Sequence, residues 1–176
     1  MHAGDDLVSI IIGACADSNE KLCDGDILLL AQKIVSKSEG RSVSLSDVIP
    51  SNAALALAKS SNKDPRLVEV ILQESNEVIR QREGAIIVEN RQGVVLANAG
   101  IDMSNVEQEC GDTVLLLPKD PNLSCVRLKD EIRRRTGTKV GVVINDSLGR
   151  AFRNGTIGAA LGAAGVPTLV DLSGTQ

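Results

Sequence analysis

The sequence contains almost no aromatic residues. Among its 176 residues there is no Trp or Tyr, and Phe152 is the only Phe. Proteins that hold single-stranded nucleic acid commonly stack the bases on aromatic side chains, so we exclude that class. The formal net charge of −4 also argues against a phosphate-backbone ligand. We therefore expect no nucleic-acid partner.

Histidine is nearly absent, and the cysteines are not grouped. His2 is the only histidine, which excludes Ser-His-Asp and Cys-His catalysis. The four cysteines lack C-x-x-C spacing: Cys15, Cys23, Cys110 and Cys125. This spacing disfavours a zinc site and fits free thiols in a reducing cytosol. Any metal must then be held by oxygen atoms, which favours Mg²⁺ or Mn²⁺. The sequence assigns no catalytic residue.

Long hydrophobic runs are missing as well. No apolar run approaches the ~20 residues that a membrane-spanning helix needs, so we expect no membrane partner. The first residues lack the basic region of a signal peptide, which together with the cysteine usage predicts a cytoplasmic protein. The length predicts one domain over residues 1–176, or two closely associated lobes.

Capping residues and apolar spacing predict four helices. They begin after Asp5 or Asp6, after Ser51, at Asp64-Pro65 and at Asp120-Pro121, and Gly137 is expected to end the last one. In the first helix, the apolar face is predicted to contain Leu7, Ile10, Ile11 and Ala14.

Apolar runs predict the strands. We expect a buried strand at 27–31, a hairpin formed by 85–88 and 94–97, a strand at 114–117 and a last strand at 140–144. The Gly- and Ala-rich tail is expected to pack closely. The hairpin and the irregular order of helices predict an α+β fold, with a mixed or antiparallel sheet and flanking helices, rather than a doubly wound sheet.

Two lysines follow the first predicted strand. Lys33 and Lys37 are four positions apart, with Ser36 and Ser38 beside them. Lysine is a point charge suited to phosphate oxygens, and serine hydroxyls can add hydrogen bonds. A lysine pair after a strand is also typical of a solvated edge, so this pattern alone leaves both interpretations open.

Two aspartates are expected at other strand ends. Asp102 follows Asn-Ala-Gly at 98–100, and Asp146 with Ser147 follows the strand at 140–144. A strand-end aspartate can hold a hard cation, although Asx and Ser residues are also common turn formers. If both aspartates bind cations, we expect their carboxylates to lie in one cleft.

Two arginines close to the second aspartate are candidate contacts for a substrate anion. Arg150 and Arg153 are three positions apart around Phe152. They could neutralise an anionic substrate or form surface ion pairs with acidic side chains.

These segments together resemble the GTP-dependent γ-glutamyl ligases that add glutamate to the deazaflavin coenzyme F420. The matching stretches follow the same order along nearly the whole chain: DGD at 24–26, QKIVSKSEGR at 32–41, KDPRLV at 63–68, ES at 74–75, NAGID at 98–102, SNV at 104–106, LLP at 116–118, DP at 120–121, DS at 146–147, GR at 149–150 and RNG at 153–155.

The resemblance implies a set of ligands and residue roles. The metal positions correspond to Asp102, Asp146 and Ser147, and the GTP positions to Gln32, Lys33, Lys37 and Asn105. The implied cofactors are Mg²⁺ or Mn²⁺, with K⁺ as an additional cation. GTP, L-glutamate and the deazaflavin precursor are the implied partners, in a homodimer with the fold of this ligase family. The implied reaction passes through an acyl phosphate.

The resemblance also implies that the family's first strand and its C-terminal third are missing from this chain. Two functions follow as alternatives. The first is the GTP- and metal-dependent ligase itself. The second is a catalytically inactive, truncated ligase-like module that dimerises and binds nucleotide or deazaflavin.

Overall fold

The computed structural model describes residues 1–103, 112–149, 154–168 and 170–174, and in these ranges the chain has the predicted α+β composition. The helices are α1 (Leu7–Asp17), α2 (Gln32–Ser38), α3 (Asn52–Ser61), α4 (Pro65–Gln73) and α5 (Pro121–Thr136). The strands are β1 (Ile27–Ala31), β2 (Ser42–Ser44), β3 (Ser75–Arg82), β4 (Ala85–Asn90), β5 (Val95–Ala97), β6 (Thr113–Leu115), β7 (Gly141–Gly149) and β8 (Thr156–Ala164).

The strands of the described ranges form mixed and antiparallel sheets, as predicted. One sheet has the order β1-β7-β8, and β1 runs parallel to β7. A second sheet pairs β2 with β6, and a third has the order β3-β4-β5; both are antiparallel. The predicted hairpin is formed by β4 and β5 in the third sheet, so that prediction is confirmed.

The chain divides into two compact units. The first unit consists of Met1–Glu39, Pro118–Asp146 and Gly158–Gln176, and the second of Gly40–Leu117 and Ser147–Ile157. Each has its own apolar core. The first core includes Val35, Cys125, Ile132, Val142 and Ile144. The second core includes Val68, Ile71, Ile86, Val88 and Val114.

The predicted helix starts are confirmed, because each has a side chain that satisfies an exposed backbone N–H. The carboxylates of Asp6, Asp64 and Asp120 and the hydroxyl of Ser51 cap α1, α4, α5 and α3. Gly137 ends α5 with φ +78°, in the left-handed region that favours glycine. No helix in the described part of the chain is both long and apolar enough to cross a membrane.

The predicted inner face of α1 was partly wrong. Leu7 and Val8 are buried, whereas Ile10 is 44% exposed and Ala14 is also exposed. The helix contains three consecutive isoleucines at 10–12, so hydrophobicity alone does not determine which of them faces the core. The structure packs Ile11 and Ile12 inward instead.

The prediction that β1 is a buried strand was also partly wrong. Leu30 is buried, but Ile27 is 60% and Leu29 is 66% exposed. β1 lies at an edge of its sheet, and alternate side chains of a strand point to opposite faces. Only the face that contains Leu28 and Leu30 contacts the core of the first unit.

Three strands and one helix were missed: β2, β3, β8 and α2. β3 consists largely of exposed polar residues and is held by its pairing with β4, so it lacks an apolar pattern. β8 follows β7, which makes the prediction of a last strand at 140–144 wrong. The Gly- and Ala-rich sequence of β8 permits close packing: a Cβ at Gly162 would overlap the carbonyl carbon of Pro121. The predicted close packing of the tail is therefore confirmed.

Candidate functional site

The carboxyl-terminal end of β1 and the middle of β7 bring predicted site residues together in the first unit. Ala31 is the register partner of Asn145, so Gln32 and Asp146 are the residues that follow this pair. Because the two strands are parallel, the start of α2 and Asp146 lie at the same edge of the pairing. The prediction that the last strand ends before Asn145 was wrong, because β7 continues to Gly149. Its pairing with β1 stops at Asn145.

Helix α2 buries one side and presents its lysines on another. Gln32 and Ser36 are buried, and the Ser36 hydroxyl donates a 2.9 Å hydrogen bond to Oε1 of Gln32. Lys33 and Lys37 are half-buried and four positions apart, which places them on one side of the helix. The amide oxygen of Gln32 is thus engaged inside the protein, and the lysines are better placed than Gln32 to meet an anion.

Contacts within the first unit hold the end of α2. Glu39 caps the helix, and its carboxylate accepts a short hydrogen bond from the hydroxyl of the buried Ser124 on α5. The carbonyl oxygen of Ser38 accepts a 2.9 Å bond from the backbone N–H of Gly4. Lys37 therefore lies on a short helix whose last turn is fixed to two other segments.

Asn145 is enclosed by a glycine on β8. A Cβ at Gly158 would lie 3.1 Å from Oδ1 and 3.4 Å from Nδ2 of Asn145. Any larger residue at position 158 would push against the residue before Asp146. Sequence reasoning missed this contact, and the signal for it was a glycine inside a strand, which often marks a close approach.

Asp102 follows a strained turn in the second unit. Asn98, Ala99 and Gly100 have φ angles of +52°, +55° and +72°. Left-handed backbone is unfavourable for alanine by about 1 kcal/mol or more, yet Ala99 is buried in this conformation. The predicted strand end before Asp102 is confirmed, because β5 stops at Ala97. Strain of this kind is frequent beside functional residues.

The backbone N–H and the backbone carbonyl of Asp102 both form hydrogen bonds with Leu115. Its N–H donates to the carbonyl of Leu115 and its carbonyl accepts from the N–H of Leu115, each at 2.9 Å. The side chain is half-buried, with Oδ2 beneath the surface. The backbone of Asp102 is thus fixed relative to β6.

Gly100 supports this turn through a close contact with Leu117. A Cβ at Gly100 would lie 2.7 Å from Cδ1 of Leu117, and φ is positive there. We expect Gly100→Ala to lower the free energy of unfolding by about 1–3 kcal/mol more than Gly84→Ala. Gly84 has a similar φ of +79° but open space around it, so it controls for the backbone term. Urea unfolding of both variants measures the difference, and equal losses would contradict the packing argument.

Ion pairs elsewhere in the first unit perturb carboxyl pKa values. A hydrogen bond from Arg135 at 2.6 Å, with further bonds from Ser9, lowers the pKa of Asp6 from 3.8 to about 2. The pKa of Glu131 is lowered to about 2, chiefly by a hydrogen bond from Arg134 and next by one from Arg135. These groups connect the start of α1 to the last turn of α5 and have a structural role.

We expect Asp6→Asn to lower the melting temperature at pH 7, by a difference that shrinks as the pH falls from about 4 to about 2. The folded-state pKa of Asp6 is depressed, so its stabilisation is present above the unfolded pKa and is lost on protonation. Asparagine can still cap the helix, so the substitution tests the effect of the charge alone. Thermal unfolding between pH 2 and pH 7 tests this. Asp17→Asn, at the other end of α1, is the control and should show no such loss.

Of the remaining predicted site residues, the structure describes only Ser147. Ser147 is exposed on β7. Asn105, Arg150 and Arg153 lie outside the described residues, and their roles stay predictions. The separation of the Asp102 and Asp146 carboxylates also stays a prediction.

The predicted metal residues carry oxygen atoms of the kind that a divalent cation prefers. Within the described ranges there is no group of three or more His, Cys, Asp or Glu side chains that could hold an ion. Asp102, Asp146 and Ser147 offer two carboxylates and a hydroxyl, all hard oxygen donors. Mg²⁺ is commonly held by one or two carboxylates together with substrate phosphates, and this donor chemistry fits that arrangement.

Comparison with known proteins identifies the class. The family model described as "F420-0:Gamma-glutamyl ligase" matches residues 1–176. These are ligases. The chain belongs to the F420-0:gamma-glutamyl ligase family, which confirms the resemblance found in the sequence.

Curated relatives agree with this assignment. The coenzyme F420:L-glutamate ligase of Methanothermobacter thermautotrophicus is 44% identical over 174 residues, which cover 99% of this chain and 68% of the relative. The protein of the same name from Methanopyrus kandleri is 46% identical over 176 residues, covering 100% of this chain and 67% of the relative. For the Methanocaldococcus jannaschii protein, the identity is 42% and the coverage 87% and 60%. The chain thus spans roughly two thirds of these relatives.

Proposed function

We propose that this chain is a γ-glutamyl ligase that joins L-glutamate to a precursor of coenzyme F420, with GTP as the phosphoryl donor. Family membership supports the ligation and both organic substrates. The observation that best supports a polyphosphate site is the position of α2 and Asp146 at one edge of the parallel pair β1–β7. There the lysines on α2 offer positive charge beside a strand that contains a carboxylate.

The proposed reaction has two balanced steps. A carboxylate oxygen of the precursor attacks the γ-phosphorus of GTP, the bond to the β-phosphate oxygen breaks, and GDP leaves with that electron pair. The amine of glutamate then attacks the acyl carbon, inorganic phosphate leaves, and the nitrogen loses a proton. The products are an amide, GDP and phosphate. Positive charge from Lys33 and Lys37 opposes the negative charge of the phosphates.

A divalent cation completes the proposed site. Asp102, Asp146 and Ser147 are the residues that would hold Mg²⁺ or Mn²⁺. When bound, the cation supplies charge neutralisation of the polyphosphate and a fixed orientation of its oxygens. The protein's own part is to present the two carboxylates from a fixed backbone. The backbone of Asp102 is fixed by its two hydrogen bonds to Leu115.

The proposal is tested with the whole chain, GTP, L-glutamate, MnCl₂ and the deazaflavin precursor. We expect GDP to form in step with a product one glutamyl residue heavier, detected by chromatography and mass spectrometry. Omitting the precursor should stop GDP formation. If GTP is bound without product, the alternative module that binds nucleotide without catalysis is favoured. If neither binding nor product is seen, the proposed function is wrong for this chain.

Replacing Lys37 tests the phosphate role of α2. We expect Lys37→Ala to raise the KM for GTP about tenfold or more, because a hydrogen bond to a charged group contributes about 1.5–3 kcal/mol. Steady-state GDP formation measures the change. Lys59→Ala removes an exposed lysine from α3 and is the matched control. An equal KM in both variants would refute the role of Lys37.

A further inference from the structure

Arg41 holds a short segment of the second unit in two ways. Its backbone carbonyl accepts a 3.0 Å hydrogen bond from the N–H of Leu116. Its side-chain Nε donates a 2.9 Å bond to the carbonyl of Leu117. One arginine therefore fixes two consecutive residues that lie about 75 positions later in the chain.

Glu74 fixes the other end of the same guanidinium group. Its Oε2 accepts a 2.9 Å hydrogen bond from Nη2 of Arg41, and both side chains are about three quarters buried. Glu74 is the C-cap of α4, and its carbonyl accepts a bond from the N–H of Arg91. The guanidinium is thus bonded to a rigid helix end on one side and to the backbone of Leu117 on the other.

The segment held by Arg41 is the one that positions Asp102. Both backbone bonds of Asp102 go to Leu115, directly before the two residues that Arg41 contacts. Leu117 also packs on Gly100, in the turn that precedes Asp102. Movement of residues 115–117 would therefore move Asp102 through its hydrogen bonds and through the packing of the turn.

We propose that the Arg41–Glu74 pair positions Asp102 as a metal ligand by fixing the segment 115–117. This inference rests on the proposed function, in which Asp102 holds a divalent cation. Arg41 and Glu74 lie in two sequence stretches that match the family, but neither residue itself has an assigned role. They touch neither substrate nor metal in this scheme, so they are positioning residues.

Mn²⁺ binding to the full chain tests the inference without turnover. Free Mn²⁺ gives an electron paramagnetic resonance signal that is lost on binding, so a titration with MnCl₂ yields both Kd and the number of sites. We expect Arg41→Lys and Glu74→Gln each to raise the Kd about tenfold or more, the scale found when supporting partners of metal ligands are changed. The number of sites should stay unchanged.

Affinity and site number separate positioning from folding. A variant that merely unfolds in part would lose sites, while the remaining folded molecules would keep the original Kd. Glu74→Gln keeps the size and an acceptor oxygen of the side chain. It therefore tests the same pair independently if the Arg41 variant misfolds. Arg91→Lys is the matched control, because Arg91 also donates a side-chain bond to a backbone carbonyl, that of Gln73. Its Kd should equal that of the unchanged chain.

Asp102→Asn separates this inference from the proposed function. If Asp102→Asn weakens Mn²⁺ binding but Arg41→Lys and Glu74→Gln do not, the positioning role is overturned and the metal role of Asp102 stands. If Asp102→Asn leaves the Kd unchanged, the metal role of Asp102 fails, and the inference fails with it.

Discussion

Asp146→Asn is expected to lower the rate of GDP formation by about 100-fold or more, with a much smaller effect on folding. Asp146 lies where β7 passes the start of α2, and it is half-buried rather than part of the apolar core. Asparagine keeps the shape and one oxygen acceptor but removes the charge. Loss of one group that stabilises developing charge typically costs about 10²–10³ in rate.

The measurement is the initial rate of GDP formation at saturating GTP, repeated across a range of MnCl₂ concentrations. A metal ligand should also raise the Mn²⁺ concentration needed for half-maximal rate. Asp130→Asn is the control in the same unit, since Asp130 is exposed on α5 and pairs with Lys129. A rate within a few-fold of the unchanged chain would refute the role of Asp146.

The starts of the four capped helices were the most predictable part of the fold, because their signals are local. Helix α2 has no side-chain cap, and it was missed. Asp64-Pro65 combines a capping carboxylate with a proline at a position that needs no N–H donor, and the same pair recurs at Asp120-Pro121. The capping geometry depends only on neighbours within three residues. Such patterns need no knowledge of the rest of the chain.

Burial was less predictable, because it depends on which elements pack together. The run Ile27–Ala31 identified a strand, but its hydrophobicity gave no sign that Ile27 and Leu29 would be exposed at a sheet edge. Strand β3 is the opposite case. Its polar residues form a strand because they pair with β4. The sequence predicted β4 only as the partner of β5, so it gave no indication of a second partner.

The candidate site shows the same division between local and distant information. The charged residues after strands were visible in the sequence, and the order of motifs identified the family. The supporting contacts were not visible, since they join distant residues: Arg41 with Leu117, Glu39 with Ser124, and Asn145 with Gly158. A pattern in one sequence indicates which residues have suitable chemistry. The fold determines which other residues hold them in place.

The core of the second unit gives the largest expected effect on stability. Ile71 on α4 is fully buried, and we expect Ile71→Ala to lower the free energy of unfolding by about 2–5 kcal/mol, through lost apolar burial and the cavity left behind. Ile49→Ala makes the same chemical change in the same unit at a side chain that is 89% exposed, and it should cost less than about 0.5 kcal/mol. Urea unfolding followed by circular dichroism measures both. Similar losses in the two variants would mean that α4 does not pack its inner face as described, and the capped helix that ends at Glu74 would then give no rigid support to Arg41.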